Sequence, residues 1–240
     1  MVHFVNFSFF RFSELLFPAD LHSMLRRGYL FLYNAAQWSG WLSILFDRLV
    51  SLDDTRLTAN GSQALYLFQG LAILEILHSL TGVVRASVST TFVQVLSRIQ
   101  LIAVHYLVPS ARESSGLIPM ILAWGLVEVV RYLYLALNLY HMSPRWLLWA
   151  RYTFFYVLYP LGVYGEMKVL FDSLPYLAES RLLSIELPNT WNFSFSFASF
   201  IRVLLYVVYI PGLYFQYTHM IKQRKKALSG RHVVDVKKSA

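Results

Sequence analysis

The stretch LIPMILAWGLVEVVRYLYLALN, residues 117 to 138, is almost entirely apolar, yet it holds Glu128 and Arg131 near its middle. A helix of about 20 residues crosses the hydrocarbon core of a bilayer, which is about 30 Å thick. A segment of this length and composition therefore predicts a membrane-spanning helix. A charge at the centre of such a helix costs at least about 2.5 kcal/mol, so both charged side chains are expected to face other helices.

The whole chain has the composition of a membrane protein. Of its 240 residues, 57% are hydrophobic and 14% are charged, whereas soluble chains have about 25% charged residues. There is no cysteine, which excludes a disulfide framework, a thiolate metal site and a cysteine nucleophile. Seven of the 21 Lys and Arg residues lie in residues 222–240. The net charge of +8 therefore indicates a juxtamembrane tail and no nucleic-acid partner.

Six apolar windows are long enough to cross a bilayer, and each is bounded by a polar segment or by one containing proline or glycine. They predict an all-α, polytopic membrane protein, a bundle of six transmembrane helices. The windows lie near residues 28–46, 63–80, 88–108, 117–138, 146–170 and 197–220.

An even number of spans places both termini on the same side of the membrane. If both termini are cytoplasmic, the basic tail lies on the cytoplasmic side. Most of the loop arginines that have no acidic neighbour lie there too, in agreement with the positive-inside rule. The chain then divides into an N-terminal cytoplasmic segment at 1–25, a membrane domain at 26–221 and a basic cytoplasmic tail at 222–240. The tail ends KKSA, and Lys237 and Lys238 have the spacing of a dilysine retrieval signal, which predicts residence in the endoplasmic reticulum.

The predicted spans hold many ionisable residues. Because charge in lipid is costly, such residues usually pair inside the bundle or mark a functional site. Glu128 and Arg131 are one turn apart and could form a local ion pair, while Glu75 and His78 could belong to a structural hydrogen-bond network. The ionisable residues in the spans are Glu75, His78, Arg98, Glu128, Arg131, Arg151, Glu166 and Arg202.

The fifth window contains LYPLGVYGEM, residues 158 to 167, which combines a proline, two glycines and a carboxylate. Tyr159 and Glu166 are seven residues apart, so a regular helix places them on nearly the same face and about 10.5 Å apart along its axis. A kink at Pro160 could bring them closer. A phenol and a carboxyl in a site of low dielectric can transfer protons. The alternative is structural, with Tyr159 in the core and Glu166 paired with an arginine of another span.

HSLTGVVR, residues 78 to 85, has the spacing of the tyrosine-phosphatase signature H-C-x-x-G-x-x-R, but Ser79 stands in place of the cysteine. A serine hydroxyl does not ionise readily enough to attack phosphate near neutral pH. The segment also closes an apolar span, so it predicts no phosphatase activity. The histidines lie on different spans or ends, and no glycine-rich phosphate loop is present, so neither a metal site nor a nucleotide cofactor is predicted.

Five segments together resemble the 3-hydroxyacyl-CoA dehydratase family of very-long-chain fatty acid elongation, also called protein tyrosine phosphatase-like. No single motif carries the resemblance, and the segments cover most of the membrane region in the family's order. Residues 1–25 and 172–196 follow no motif of the family. The segments are YLFLYNAAQWSGW (29–41), LEILHSLTGVVRASVSTTFVQVLSR (74–98), WGLVEVVRYLYLAL (124–137), RYTFFYVLYPLGVYGEM (151–167) and QRKK (223–226).

The resemblance implies an endoplasmic reticulum enzyme that removes water from (3R)-3-hydroxyacyl-CoA to give trans-2-enoyl-CoA, the third step of each elongation cycle. It places the catalytic tyrosine and glutamate at Tyr159 and Glu166. The reaction requires no redox cofactor and no metal. Four arginines are candidates to balance charge or to bind the CoA phosphates: Arg85, Arg98, Arg131 and Arg151.

The expected partners are a long-chain 3-hydroxyacyl-CoA substrate, the membrane and other elongation enzymes. The alternative function is non-catalytic: a scaffold of the elongation complex, or a lipid-binding membrane protein that keeps the fold. A transporter is a weaker alternative, because the six spans show no repeat symmetry. An intact Tyr159 and Glu166 pair favours the enzyme.

Overall fold

The computed structural model describes residues 19–51 and 56–229. These residues are helical apart from the connecting loops and one isolated antiparallel bridge between Ile185 and Phe195, so the predicted all-α class is confirmed. The helices are α1 (Ala19–Val50), α2 (Ala59–Leu71), α3 (Ile73–Leu80), α4 (Val88–Leu107), α5 (Pro109–Arg112), α6 (Leu117–Asn138), α7 (Arg145–Arg151), α8 (Phe155–Ser180), α9 (Phe197–Val203) and α10 (Tyr209–Leu228), with a π-helical turn at Leu204–Val208 between the last two.

Three helical segments are long and apolar enough to cross a membrane: Ala59–Leu80, Leu117–Asn138 and Phe197–Leu228. They correspond to the second, fourth and sixth predicted windows. The other three windows also fall on helices, but these do not meet the same test of length and apolarity. The chain is thus a membrane protein with several apolar helices, and the count of six spans stays a prediction.

Two of the predicted windows differ from the observed helices. The window at 63–80 is divided at Ala72 into α2 and α3. The window at 146–170 is interrupted at residues 152–154, and α8 then continues to Ser180. The helix therefore continues beyond residue 170, where the window ends, because polar residues end an apolar window without ending a helix.

The predicted terminal segments are only partly described. Helix α1 begins at Ala19, inside the predicted N-terminal segment, and α10 continues to Leu228, inside the predicted tail. Residues 1–18 and 230–240, with the KKSA end, lie outside the described residues.

Helix α6 is the centre of the bundle and packs between α1 and α8. Met120, Ile121 and Trp124 are all buried on it, and their spacing of one and three residues places them on one helical face. Trp41 of α1 meets Trp124 edge to face, with 6.5 Å between the ring centroids. The core therefore lies along the contacts of α6 with its neighbouring helices, and it ends directly beside the polar side chains of α6.

Helices α6 and α8 approach closely at two glycines. A Cβ atom placed on Gly165 would lie 2.5 Å from the backbone nitrogen of Met120 and 2.7 Å from the carbonyl oxygen of Gly116. Small residues allow helix backbones to approach in this way. Since Gly165 directly precedes Glu166, this close approach brings that carboxylate against α6.

Pro160 lies inside α8, which is continuous on both sides of it. A proline has no N–H, so the carbonyl of Tyr156, four residues earlier, loses its usual donor. Tyr217 of α10 donates its hydroxyl to this carbonyl at 3.4 Å. A neighbouring helix thus satisfies the freed backbone group, as in other membrane helices that contain proline, and α10 is tied to α8.

Candidate active site

Glu166 is partly buried on α8 and accepts hydrogen bonds from two other helices. Trp124 of α6 donates its Nε1–H to Oε1 at 2.8 Å, and Tyr209 of α10 donates its hydroxyl to Oε2 at 3.0 Å. Both donors are neutral. Within the described residues no arginine forms an ion pair with this carboxylate, although the structural alternative required one.

Tyr159 lies two turns before Glu166 on the same helix. Its ring is beside that of Tyr217, with 6.4 Å between centroids. No hydrogen bond joins the two side chains, and the helix does not break at Pro160 to shorten their separation. The predicted pair therefore faces one region between α8 and α10 without a direct bond.

A charged cluster lies beside Trp124 and comprises Glu75, Arg98, Glu128 and Arg131. Arg131 donates Nη1 and Nη2 to the two oxygens of Glu75, at 3.0 and 2.9 Å, and Nε to Glu128 at 2.6 Å. Arg98 donates to the other oxygen of Glu128. The predicted local pair of Glu128 and Arg131 is therefore part of a larger cluster, in which each carboxylate has an arginine.

Tyrosines complete the hydrogen bonding of Glu75 and separate it from His78. Tyr132 donates to Glu75 at 2.5 Å, and Tyr33 lies at 3.5 Å from the same oxygen. His78 is hydrogen-bonded to Tyr29 at 2.7 Å. The two residues belong to a structural network, as one of the alternatives expected.

Trp124 connects the charged cluster with Glu166. The guanidinium of Arg98 lies 4.9 Å from the centre of its ring, in the geometry of a cation–π contact, while the indole N–H donates to Glu166. The indole of Trp124 thus contacts both Glu166 and Arg98, and Arg98 is also held by Glu128.

The remaining two candidate arginines lie away from this cluster. Arg151 ends α7, and its guanidinium lies 4.5 Å from the ring centre of Tyr134 and 5.5 Å from that of Tyr152. Its Nη1 atom is buried and has no hydrogen-bond partner among the described residues. Arg85 is exposed in the loop between α3 and α4. Within the part of the chain that the structure describes, Arg98 and Arg131 form ion pairs, and Arg85 and Arg151 form none.

The phosphatase-like motif forms the end of α3 and the turn after it. The Ser79 hydroxyl donates to the carbonyl of Ile76 in its own helix, at 2.9 Å. Gly82 has a φ of 73°, a conformation that glycine adopts readily. These contacts are those of a helix end and give Ser79 no general base. In the part of the chain that the structure describes, no group of three His, Cys, Asp or Glu side chains is placed to hold a metal.

Two residues of the site, Trp124 and Tyr209, were absent from the sequence prediction. Trp124 is four residues before Glu128, so the same helical face could have indicated it. Tyr209 contacts Glu166 across 43 residues of chain, and the sequence pattern contains no signal that joins them.

Comparisons with known proteins agree with the sequence resemblance. The family model described as "Protein tyrosine phosphatase-like protein, PTPLA" matches residues 69–230. The very-long-chain (3R)-3-hydroxyacyl-CoA dehydratase hpo-8 of Caenorhabditis elegans is 40% identical over 208 residues, covering 84% of this chain and 95% of that protein.

Relatives from other kingdoms and lineages match over a similar extent. Very-long-chain (3R)-3-hydroxyacyl-CoA dehydratase 2 of Homo sapiens is 39% identical over 214 residues, covering 85% of this chain and 82% of that protein. Dehydratase PASTICCINO 2 of Arabidopsis thaliana is 35% identical over 216 residues, covering 88% and 97%. No solved structure matches the chain at a significant level.

Proposed function

Because this chain belongs to the protein tyrosine phosphatase-like (PTPLA) family, we propose that it is a 3-hydroxyacyl-CoA dehydratase of very-long-chain fatty acid elongation. It converts long-chain (3R)-3-hydroxyacyl-CoA to trans-2-enoyl-CoA and water. The observation that carries the proposal is the setting of Glu166, a carboxylate among apolar helices that is held by two neutral donors. The curated relatives named above as dehydratases match it over most of their length.

Dehydration breaks the C2–H and C3–O bonds of the acyl group and forms the C2–C3 double bond. Glu166 takes the proton from C2, next to the thioester, and delivers a proton to the hydroxyl that leaves C3 as water. The carboxyl then ends the cycle in the ionisation state in which it began. Tyr159 donates a hydrogen bond to the departing hydroxyl or to the thioester carbonyl, where charge develops.

The hydrogen bonds that Glu166 accepts leave some of its lone pairs free for proton transfer. An ionised carboxylate has about four lone-pair positions, and the described donors, Trp124 and Tyr209, use one on each oxygen. The remaining positions can accept the substrate proton. Tyr159 supports the same mechanism, because its hydroxyl has no hydrogen bond to another described residue and is available to the substrate.

The four arginines divide into two roles. Arg98 and Arg131 balance the charge of Glu75 and Glu128, with which they form ion pairs. Arg151 and Arg85 bind the phosphates of CoA. The planar guanidinium suits phosphate geometry, and the buried Nη1 of Arg151 has no hydrogen-bond partner among the described residues. Arg151→Met should raise KM for the acyl-CoA with little change in kcat, since binding to the remote phosphates is lost equally from ground and transition states.

The proposed placement in the membrane is six spans with both termini cytoplasmic, in the endoplasmic reticulum. This topology puts Arg85 and Arg151 on the same, cytoplasmic side. A glycosylation acceptor inserted within residues 181–196 should be modified, whereas one inserted at either terminus should not. Replacing Lys237 and Lys238 by serine should release some protein from the endoplasmic reticulum. We include other elongation enzymes as partners, on the family resemblance.

The test of the activity is direct. Purified, detergent-solubilised protein is incubated with long-chain (3R)-3-hydroxyacyl-CoA, and the enoyl-CoA product is measured by mass spectrometry, with Glu166→Gln protein as the control. Product that appears with the wild-type protein and not with the variant supports the proposal. Folded wild-type protein that forms no product would contradict it and favour the scaffold or lipid-binding function.

A further inference from the structure

Tyr209 holds one of the two oxygens of the Glu166 carboxylate, and Trp124 holds the other. We propose that Tyr209 is a positioning residue for dehydration, which fixes the plane of the Glu166 carboxylate so that a free lone pair faces the substrate. This role rests on the proposed function. It adds a residue of the last helix to a site whose two predicted catalytic residues, Tyr159 and Glu166, both lie on α8.

The π-helical turn at Leu204–Val208 brings Tyr209 to the bundle. Ile201 and Leu205 face the core, with 0% and 2% of their surface exposed. In a regular α-helix two residues four positions apart differ by about 40° in their direction about the helix axis. Tyr209 is eight positions after Ile201, so it would point about 80° away from the direction of Ile201. A π-turn contains more residues than an α-turn and offsets part of this drift. Tyr209 therefore packs against the same core and reaches Glu166.

The position of this turn agrees with a functional role. Single π-turns within α-helices are rare and occur frequently at functional sites. After Tyr209, α10 has no fully buried residue. Tyr209 is thus placed where the last helix leaves the core, beside the Glu166 carboxylate.

A glutamate carboxylate needs such a constraint, because rotation about its last side-chain bond is broad and has no strong preference. Donors from two different helices, at 2.8 and 3.0 Å, define the plane by contacting one oxygen each. If the Tyr209 hydroxyl is removed, the indole of Trp124 still holds Oε1, but the carboxylate can turn about that contact. Proton transfer depends on this orientation, whereas binding of the acyl-CoA does not.

The two tyrosines near Glu166 therefore have different tasks. The hydroxyl of Tyr209 is committed to Oε2 of Glu166. The ring of Tyr159 lies beside that of Tyr217, and its hydroxyl has no hydrogen bond to another described residue, so it is left for the substrate. Tyr209 acts through Glu166, so it is a positioning residue, while Tyr159 is the residue expected to touch the reacting atoms.

The same region supplies a matched control. Tyr206 lies three residues before Tyr209 and is 60% exposed, so Tyr206→Phe removes a hydroxyl that faces away from the bundle. Tyr209→Phe and Tyr206→Phe are compared by kcat and KM for a long-chain 3-hydroxyacyl-CoA. Tyr209→Phe should lower kcat about 10- to 100-fold, as a misplaced catalytic group does, with KM little changed. Tyr206→Phe should match the wild type.

A second comparison separates positioning from a merely structural role. In Glu166→Gln protein, measured with enzyme in excess of substrate, Tyr209→Phe should cause little further loss, because residues that act as one unit are not additive. An equal loss in both backgrounds would overturn the proposal, and so would a Tyr209→Phe enzyme with normal kcat. If wild-type protein forms no enoyl-CoA at all, the proposed function fails and this role fails with it.

Discussion

Two acidic groups of the bundle are held in opposite ways. Glu128 lies between Arg98 and Arg131, and its side chain is 3% exposed. Glu166 lies at the indole N–H of Trp124, and its two partners are this indole and the phenol of Tyr209. One carboxylate is neutralised by two cations, and the other is held by neutral donors.

The difference indicates what each carboxylate is for. Removing one partner of a buried ion pair destabilises the protein strongly, because an uncompensated charge stays behind. The two ions of such a pair therefore keep their charges. A carboxylate with neutral donors can gain and lose a proton without leaving a counterion unpaired. The charged cluster therefore joins the helices, whereas Glu166 is suited to chemistry.

The largest expected effect is that of Glu166→Gln on activity. Glutamine keeps the volume, and its carbonyl oxygen can still accept from Trp124 while its amide group donates to the Tyr209 hydroxyl, but it cannot exchange a proton. The rate of dehydration should fall by at least about 10² to 10⁴-fold, the usual contribution of general acid–base catalysis. The yield of folded, membrane-inserted protein should stay close to that of the wild type, which size-exclusion chromatography of a fluorescent fusion measures.

Tyr159→Phe sharpens this result, since it removes the second predicted catalytic group. It should also cause a large loss, and the double variant should cost much less than the product of the two single losses. Near-normal dehydration by well-folded Glu166→Gln protein would end the catalytic assignment of this carboxylate.

The next effect is that of Glu128→Gln, and it should be on stability. Removing this carboxylate leaves one anion, Glu75, for the two arginines. Of these two, Arg131 forms an ion pair with Glu75 and Arg98 does not. Breaking a buried pair in this way costs about 3–5 kcal/mol. We expect low expression and a lower melting temperature in detergent, with activity per folded molecule reduced far less than by Glu166→Gln. The reverse order of symptoms would show that the comparison between the two carboxylates is wrong.

A smaller effect is expected from Gly165→Ala, which tests the contact that brings Glu166 to α6. The added Cβ would meet backbone atoms of Met120 and Gly116 at 2.5 and 2.7 Å, so α6 and α8 must separate. Overpacking of this kind costs about 1–3 kcal/mol, and kcat should fall because Trp124 is drawn away from Glu166. The melting temperature and kcat are measured together.

Gly212→Ala is the matched control for that substitution. Apart from its chain neighbours and its own helix backbone, no described residue has an atom within 4 Å of a Cβ placed on Gly212, and alanine favours a helix over glycine by about 1 kcal/mol. This variant should be at least as stable as the wild type. A Gly165→Ala protein that behaves like Gly212→Ala would show that the close approach of α6 and α8 does not position Glu166.

Much of the fold follows from composition and hydrophobic periodicity. The window at 117–138 coincides with α6, and that at 88–108 ends one residue beyond α4, because a continuous apolar run fixes both the helix and its length. The window at 146–170 was less accurate. Its interruption at residues 152–154 and its extension to Ser180 depend on packing and on polar residues that tolerate a helix, which an apolarity window cannot detect.

The candidate site was predictable only along each helix. Spacing placed Tyr159 and Glu166 on one face and Glu128 beside Arg131. In the structure Arg131 donates to Glu128, whereas Tyr159 and Glu166 lie on one continuous helix without a hydrogen bond between them. Contacts between helices were not predictable: Arg98 with Glu128, and Tyr209 with Glu166, join residues distant in the chain. The π-helical turn that orients Tyr209 has no sequence signature either, since its residues, Leu204–Val208, are ordinary apolar ones.

The smallest effect is expected at Ser79, on the side of the bundle that holds the charged cluster. Ser79→Ala removes the only hydroxyl that HSLTGVVR offers in place of a phosphatase nucleophile. That hydroxyl donates to the carbonyl of Ile76 in its own helix, so its loss should cost at most about 1 kcal/mol. Dehydration, measured as for the other variants, should stay close to wild type, because α3 contributes structure and no proton transfer. A loss of dehydration activity as deep as that of Glu166→Gln would show that α3 takes part in the chemistry. It would also remove the distinction between Glu128 and Glu166.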